Sequence, residues 1–172
     1  MKTVFFALIF LLGTLLELKA QETASSEKPR IYDPKADAQQ DIRNAVAKAG
    51  KEGKHVLLQI GGNWCVWCIR FHNLTHSDTT LSRLLNDNYE VLRVNYSPEN
   101  KNEAALTQLG YPQRFGFPVF VVLDGKGNRL HTQNSAYLEE GKGHNPKLVA
   151  EFLQQWSPKA LDPKSYLPKK PN

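Results

Sequence analysis

The 172-residue chain has two cysteines, Cys65 and Cys68, spaced three apart in Trp64-Cys65-Val66-Trp67-Cys68. Such a pair can form one disulfide, one redox couple or half of a metal site, but not a dense disulfide scaffold. Its context narrows the choice. Upstream, His55-Val56-Leu57-Leu58-Gln59-Ile60 is a short, branched apolar run that predicts a buried strand. Gly61-Gly62-Asn63 predicts a turn, and Trp64 to Phe71 the start of a helix. At a helix N-terminus the first N–H groups have no helical partner and the macrodipole is positive, so a thiolate is stabilised there. Cys65 is therefore expected at the exposed helix start as the attacking sulfur. Cys68, one turn on, is placed to attack the resulting mixed disulfide and release the product. The alternative is a structural disulfide, but one closing so short a loop constrains the unfolded chain very little.

The pair needs a frame. Ile42, Ala45, Val46 and Ala49 recur at helical spacing, with Asp37 as N-cap and Gly50 or Gly53 as the stop. After the cysteines a helix fits Ser77 to about Asn86, and Tyr89 to Asn95 alternates as a strand. Pro98-Glu99-Asn100 predicts a polar helix running to Leu109-Gly110. Pro118 to Leu123 reads as a strand, joined through Asp124-Gly125-Lys126-Gly127-Asn128 to Arg129–Thr132 by hairpin chemistry. Tyr137 to Gly143 reads as a loop, and Pro146 opens a last helix with Leu148, Val149, Phe152 and Leu153 inward. Strands alternating with helices, closed by an antiparallel pair, predict an α/β domain with a central mixed sheet flanked by helices.

The ends carry other information. Lys2 followed by the apolar run Val4–Leu16 is ~20 Å long as a helix, short of the ~30 Å hydrocarbon core. With Leu18-Lys19-Ala20 after it, this predicts a secretory signal peptide over residues 1–20. Residues 21–34 are expected as a flexible lead-in, 35–156 as the domain and 157–172 as an extended Pro/Lys-rich tail, since four of the ten prolines lie there. The formal charge is +5, but residues 1–20 hold +1 of it and 157–172 hold +3. The folded part is nearly neutral, so no basic stripe suggests nucleic acid. An exported chain would work in an oxidising, disulfide-permissive compartment, most simply a bacterial periplasm or the exterior.

Trp-Cys-x-x-Cys after a buried strand, with Gly116-Phe117-Pro118 before Val119-Phe120-Val121-Val122, resembles the thioredoxin superfamily over about residues 35–156. In detail the chain is similar to exported bacterial thioredoxin-like proteins. The resemblance implies a thioredoxin-like fold and a cis Pro118 facing the two sulfurs. It also implies Phe117 backbone free to pair with an extended substrate, and Trp64 and Trp67 beside the site as docking surface. It implies thiol–disulfide exchange on cysteine-containing proteins by a monomer, without a cofactor, and a membrane or exported redox partner that resets the pair.

Two departures bear on mechanism. The superfamily pattern places a buried carboxylate six residues before the first cysteine, where this chain has Gln59, which cannot titrate. The intervening dipeptide is Val66-Trp67, which offers no imidazole to stabilise the thiolate. Cys65 then has only the helix terminus and any nearby cation, such as Arg70, and the expected activity leans to reductase or isomerase. Two alternatives stand beside this reading. One is a metal-handling thiol module using Cys65, Cys68, His72 and His76, which share one helix face. However, Cys65 and His76 lie ~16 Å apart along a continuous helix, too far for Zn bonds of ~2.0–2.3 Å. The other is a non-catalytic peptide-binding domain. His55, His131 and His144 are expected at the surface or at strand edges.

Overall fold

The computed structural model describes residues 30–168; the predicted signal segment lies outside them. The strand β1 (His55–Gly61) is buried along its whole length and carries the fold. It pairs in parallel with β2 (Tyr89–Asn95) on one side and antiparallel with β3 (Val119–Leu123) on the other. β3 in turn pairs antiparallel with β4 (Arg129–Asn134), giving the order β2-β1-β3-β4. This is the expected mixed sheet.

Side chains alternate along a strand, so β1 feeds two cores. Val56, Leu58 and Ile60 pack with Val94, Val119, Val121 and the helix α1 (Ala38–Glu52). Leu57 faces the other way, into a core with Phe71 of α2 (Val66–Ser77), Leu81 and Leu85 of α3 (Thr79–Asn88), and Phe120. Val149, Phe152 and Leu153 of α5 (Pro146–Gln155) complete that layer. α1 begins at Asp37, whose carboxylate accepts from the N–H groups of Gln39 and Gln40, and ends at Gly53 at φ 67°. Both residues were expected there. α5 starts with Pro146 after the N-cap Asn145, and α3 is capped by Asp78.

Four local expectations are corrected. The helix expected from Pro98 is only the short α4 (Glu103–Gln108). Before it, amide side chains claim the backbone: Asn95 Nδ2 donates to the Asn100 carbonyl, Asn102 Nδ2 to the Asn95 carbonyl, and Asn100 Nδ2 to the Ala36 carbonyl. Such side-chain bonds compete with helix formation. Tyr137 to Gly143, expected as a loop, instead belong to a 3-10 turn (Ser135–Leu138) and a small hairpin of β5 (Glu139–Glu140) and β6 (Gly143–His144). The tail after residue 157 is not extended where described. α6 (Pro158–Leu161) and a 3-10 turn (Pro163–Tyr166) follow, tied by Tyr166 donating to the Ala160 carbonyl. The lead-in is anchored at its end. Asn63 Oδ1 accepts from the N–H groups of Ile31 and Tyr32 at 2.9 Å each, and Asn63 Nδ2 donates to the Tyr32 carbonyl at 2.8 Å. Tyr32 is 2% exposed.

Candidate active site

Cys65 is the N-cap of α2, in extended conformation, and Cys68 lies in its first turn. The two form a disulfide. The Cys68 N–H donates to Cys65 Sγ at 3.1 Å, so one of the helix's unpaired N–H groups is turned onto the sulfur. Any negative charge developing on Cys65 would meet this group and the positive end of a twelve-residue helix.

The strand below sets the height of the pair. An added Cβ on Gly61 would lie 2.3 Å from Cys68 Sγ, so only glycine lets β1 run this close beneath the sulfur. Gly62 does the same for Trp64, whose indole nitrogen would be 2.4 Å from such a Cβ. That nitrogen donates to the Tyr96 carbonyl at 2.7 Å.

Cys65 differs from its expected exposure. It is 4% exposed and Cys68 is fully buried. The two cluster with Tyr32, and Ile31, Trp67 and Phe117 close over them. The anchored N-terminal segment adds Ile31 and Tyr32 to this cover, and nothing local in Trp64–Cys68 could announce that addition. Trp64 and Val66 supply the open surface, each more than half exposed.

The Phe117–Pro118 peptide bond is cis, at the entry to β3. The Phe117 ring stacks on Tyr96 at 4.8 Å and meets Trp64 edge-on at 5.4 Å. These three rings form one apolar flank of the site, continuing into a groove of about 530 Å³ lined by Pro34, Trp64, Asn95, Tyr96 and Pro98. Trp67 sits apart from them. It is half-buried, edge-on to His144 at 5.7 Å, with the Arg70 guanidinium over its face at 5.0 Å. Arg70 is therefore engaged with an aromatic ring rather than free in solvent.

Gln59 lies fully inside, under α2, and its amide donates to the Cys68 carbonyl at 3.1 Å. Its partner across the parallel ladder is Arg93. The superfamily carboxylate is thus replaced by a neutral amide beside a half-buried guanidinium. Arg93 donates from Nη2 to His72 Nδ1 at 2.8 Å. Burial first, then the charges of Arg93 and His76, hold the His72 pKa down to about 4. His72 is consequently neutral and a hydrogen-bond acceptor at neutral pH. Among the described residues, no three His, Cys, Asp or Glu side chains are grouped closely enough to hold a metal ion. Sequence reasoning missed Tyr32, Asn63 and Arg93, and only the strand alternation of Arg93 was visible beforehand.

Two of the expected surface histidines are inside. His55 Nδ1 donates to the Trp156 carbonyl. His144 packs edge-on against Trp67 and Phe71, with neither ring nitrogen hydrogen-bonded. Burial, then the charge of Arg70, lowers its pKa to about 4. A histidine whose folded pKa lies below its unfolded value of about 6.5 binds protons preferentially when unfolded. Its contribution is intact above about pH 6.5 and is lost as pH falls toward about 4. The melting temperature should therefore fall across that window, through His144 and His72 together. His144→Phe keeps the ring packing, so its melting temperature should fall less steeply. An unchanged slope in melting curves of the two proteins would contradict this.

Residues 37–125, just over half the chain, match the family model described as thioredoxin-like. The thiol:disulfide interchange protein DsbD of Salmonella typhi is 32% identical over 87 residues, covering 51% of this chain and 14% of that protein. DsbD of Escherichia coli K12 is 30% identical over the same length. The chain thus corresponds to about one-seventh of the length of these curated relatives. The crystal structure of a disulphide isomerase from Xylella fastidiosa Temecula1 superposes with a TM-score of 0.64 at 22% identity, over 74% of this chain and 96% of that one. That likeness establishes the fold, and the matched residues include both cysteines: the chain belongs to the thioredoxin-like family.

Proposed function

We propose that the protein exchanges disulfides with cysteine-containing proteins in an exported compartment, as a reductase or isomerase. The observation that carries this is the disulfide between an N-capping Cys65 and a buried Cys68, set beside the Phe117–Pro118 turn. In the reduced protein the Cys65 thiolate attacks one sulfur of a substrate disulfide. A mixed disulfide forms and the first substrate thiolate leaves. Cys68 then attacks Cys65, the mixed disulfide breaks, and the second substrate sulfur leaves with the electron pair. The protein gains the Cys65–Cys68 disulfide, and the substrate gains two electrons and two thiols.

Trp64, Phe117 and Pro118 are the docking residues of this reading. Their rings and the adjoining apolar groove suit an extended segment bearing one apolar side chain near its cysteine. Trp67 contributes at the rim while remaining pinned by His144 and Arg70. The lean toward reduction follows from Val66-Trp67, which brings no imidazole to the thiolate. The Lys2-to-Ala20 pattern supports export and, in a bacterium, the periplasm. Among the described residues no helix is long and apolar enough to cross a membrane. A membrane-bound or exported donor would re-reduce the pair.

The test is turnover of a protein disulfide by the reduced chain. Two substrate thiols should appear for each Cys65–Cys68 disulfide formed. Absence of any exchange would favour a peptide-binding module whose cysteines are dispensable.

A further inference from the structure

In the exchange cycle Cys68 must become a thiolate inside a site with no exposure. Gln59, bonded to the Cys68 carbonyl, cannot take part in proton transfer. Tyr32 brings a hydroxyl to the same place. It clusters with Cys65 and Cys68 in the core beneath Phe117. A Cβ on Gly61 would lie 2.3 Å from Cys68 Sγ and 3.1 Å from the Tyr32 hydroxyl, so both atoms press on one point of β1. The hydroxyl is buried and has no hydrogen-bond partner. It lies beside the Gln59 amide without forming a hydrogen bond to it, and within the field of Arg93. Asn63 clamps the Tyr32 backbone from both sides, which holds the ring there.

A buried hydroxyl without a partner is costly, and native proteins seldom keep one. In the oxidised protein the neighbouring sulfur is a weak acceptor. When that sulfur becomes a thiolate it is a charged acceptor, and hydrogen bonds to charged groups are the strong ones.

We propose that the Tyr32 hydroxyl is the hydrogen-bond donor that stabilises the Cys68 thiolate, where a carboxylate is missing at Gln59. The inference rests on the exchange reading and assigns the means by which its second half proceeds. The Cys68 proton passes through water to the departing substrate thiolate. The Cys68–Cys65 bond forms, the Cys65–substrate bond breaks, and the electron pair leaves with the substrate sulfur. Tyr32 keeps its own proton: burial pushes its phenol well above the usual tyrosine range, so it donates without ionising. From the elements around the pair, the titratable groups clustered with Cys68 are Tyr32 from the N-terminal segment and Cys65 at the start of α2, with Arg93 of β2 acting on the Tyr32 hydroxyl from across the ladder at Gln59; Gln59, Ile31, Trp67 and Phe117 are neutral.

Tyr32→Phe isolates the hydroxyl, because it removes only an oxygen that bonds to nothing in the oxidised protein. Two readouts follow. In a Cys65→Ser background, the Cys68 thiol pKa is read from thiolate absorbance. In the otherwise intact protein, the reduced chain is mixed with an aromatic disulfide whose released thiolate is coloured. The first equivalent released reports attack by Cys65 and the second reports resolution by Cys68. Tyr32→Phe should raise the Cys68 pKa by about one unit and slow the second phase about tenfold at neutral pH, leaving the first phase unchanged and the melting temperature of the oxidised protein no lower than that of wild type. An unchanged Cys68 pKa and second phase would overturn the inference. If wild type releases neither equivalent, the exchange reading falls instead, while the Cys68 pKa still decides whether Tyr32 acts on that sulfur.

Discussion

Replacing Cys65 with serine should reduce disulfide exchange to the solution background, the largest effect expected from any single change. Serine keeps the N-cap, since its hydroxyl can accept the Cys68 N–H as Cys65 Sγ does. The fold is therefore retained and only the nucleophile is lost. Cys68→Ser should behave differently. Cys65 still attacks, but nothing resolves the adduct, so a mixed disulfide with substrate accumulates and is released only by added reductant. Non-reducing electrophoresis and mass spectrometry of the two variants read both outcomes. The two sulfurs are not interchangeable, because one caps the helix and the other is sealed beneath it. Adduct formation on Cys68 in Cys65→Ser at the rate of wild type would reverse the assignment of the two roles.

The second large effect is expected at Gly61. Its Cα is in a strand, and no unusual backbone angle demands glycine there. The constraint is space. An alanine Cβ would sit 2.3 Å from Cys68 Sγ and 3.1 Å from the Tyr32 hydroxyl. Cys68 is fixed in the first turn of α2 and tied to Cys65, and Tyr32 is clamped by Asn63, so neither neighbour moves cheaply. Gly61→Ala should destabilise the oxidised protein by about 1–3 kcal/mol, the usual cost of overpacking a filled site. Chemical denaturation measures it directly. A variant as stable as wild type would mean that β1 can withdraw from the sulfur, and the close approach would then not be a constraint on the site.

Much of the architecture was legible because local pattern and burial agreed. β1 is a run of branched residues whose alternate members serve two cores, and the cysteines follow it through a glycine turn. Asp37, Gly53 and Pro146 act at the helix ends as their chemistry dictates. The failures share a cause: contacts distant in sequence. Asn63 holds Ile31 and Tyr32 across more than thirty residues, packing the end of a polar lead-in against Cys65 and Cys68. The Asn95–Asn102 segment satisfies its backbone through amide side chains, some reaching to Ala36 and Ala38, which erased most of a predicted helix. His144 lies in a hairpin of two-residue strands, too short for any periodicity to reveal that it turns inward.

The site divides in the same way. The pairing of the two sulfurs at the start of a helix was visible in four residues, Cys65 to Cys68, because a strand, a glycine turn and a helix frame them. What sets the behaviour of Cys68 was not visible. Gln59 announced a missing proton acceptor, but the groups that surround the gap, Arg93 on the neighbouring strand and Tyr32 from the N-terminal segment, are assembled only by the fold.

The central claim, that Cys65 and Cys68 are a working redox couple of reductase or isomerase type, is tested most directly by the reduction potential of the pair at equilibrium with glutathione. The prediction is reversible two-electron cycling between about −270 mV, the thioredoxin value, and about −180 mV, that of protein disulfide isomerase. A potential near −120 mV would make the protein a disulfide donor and contradict the reductase or isomerase reading, and a pair that does not cycle at all would contradict the claim itself.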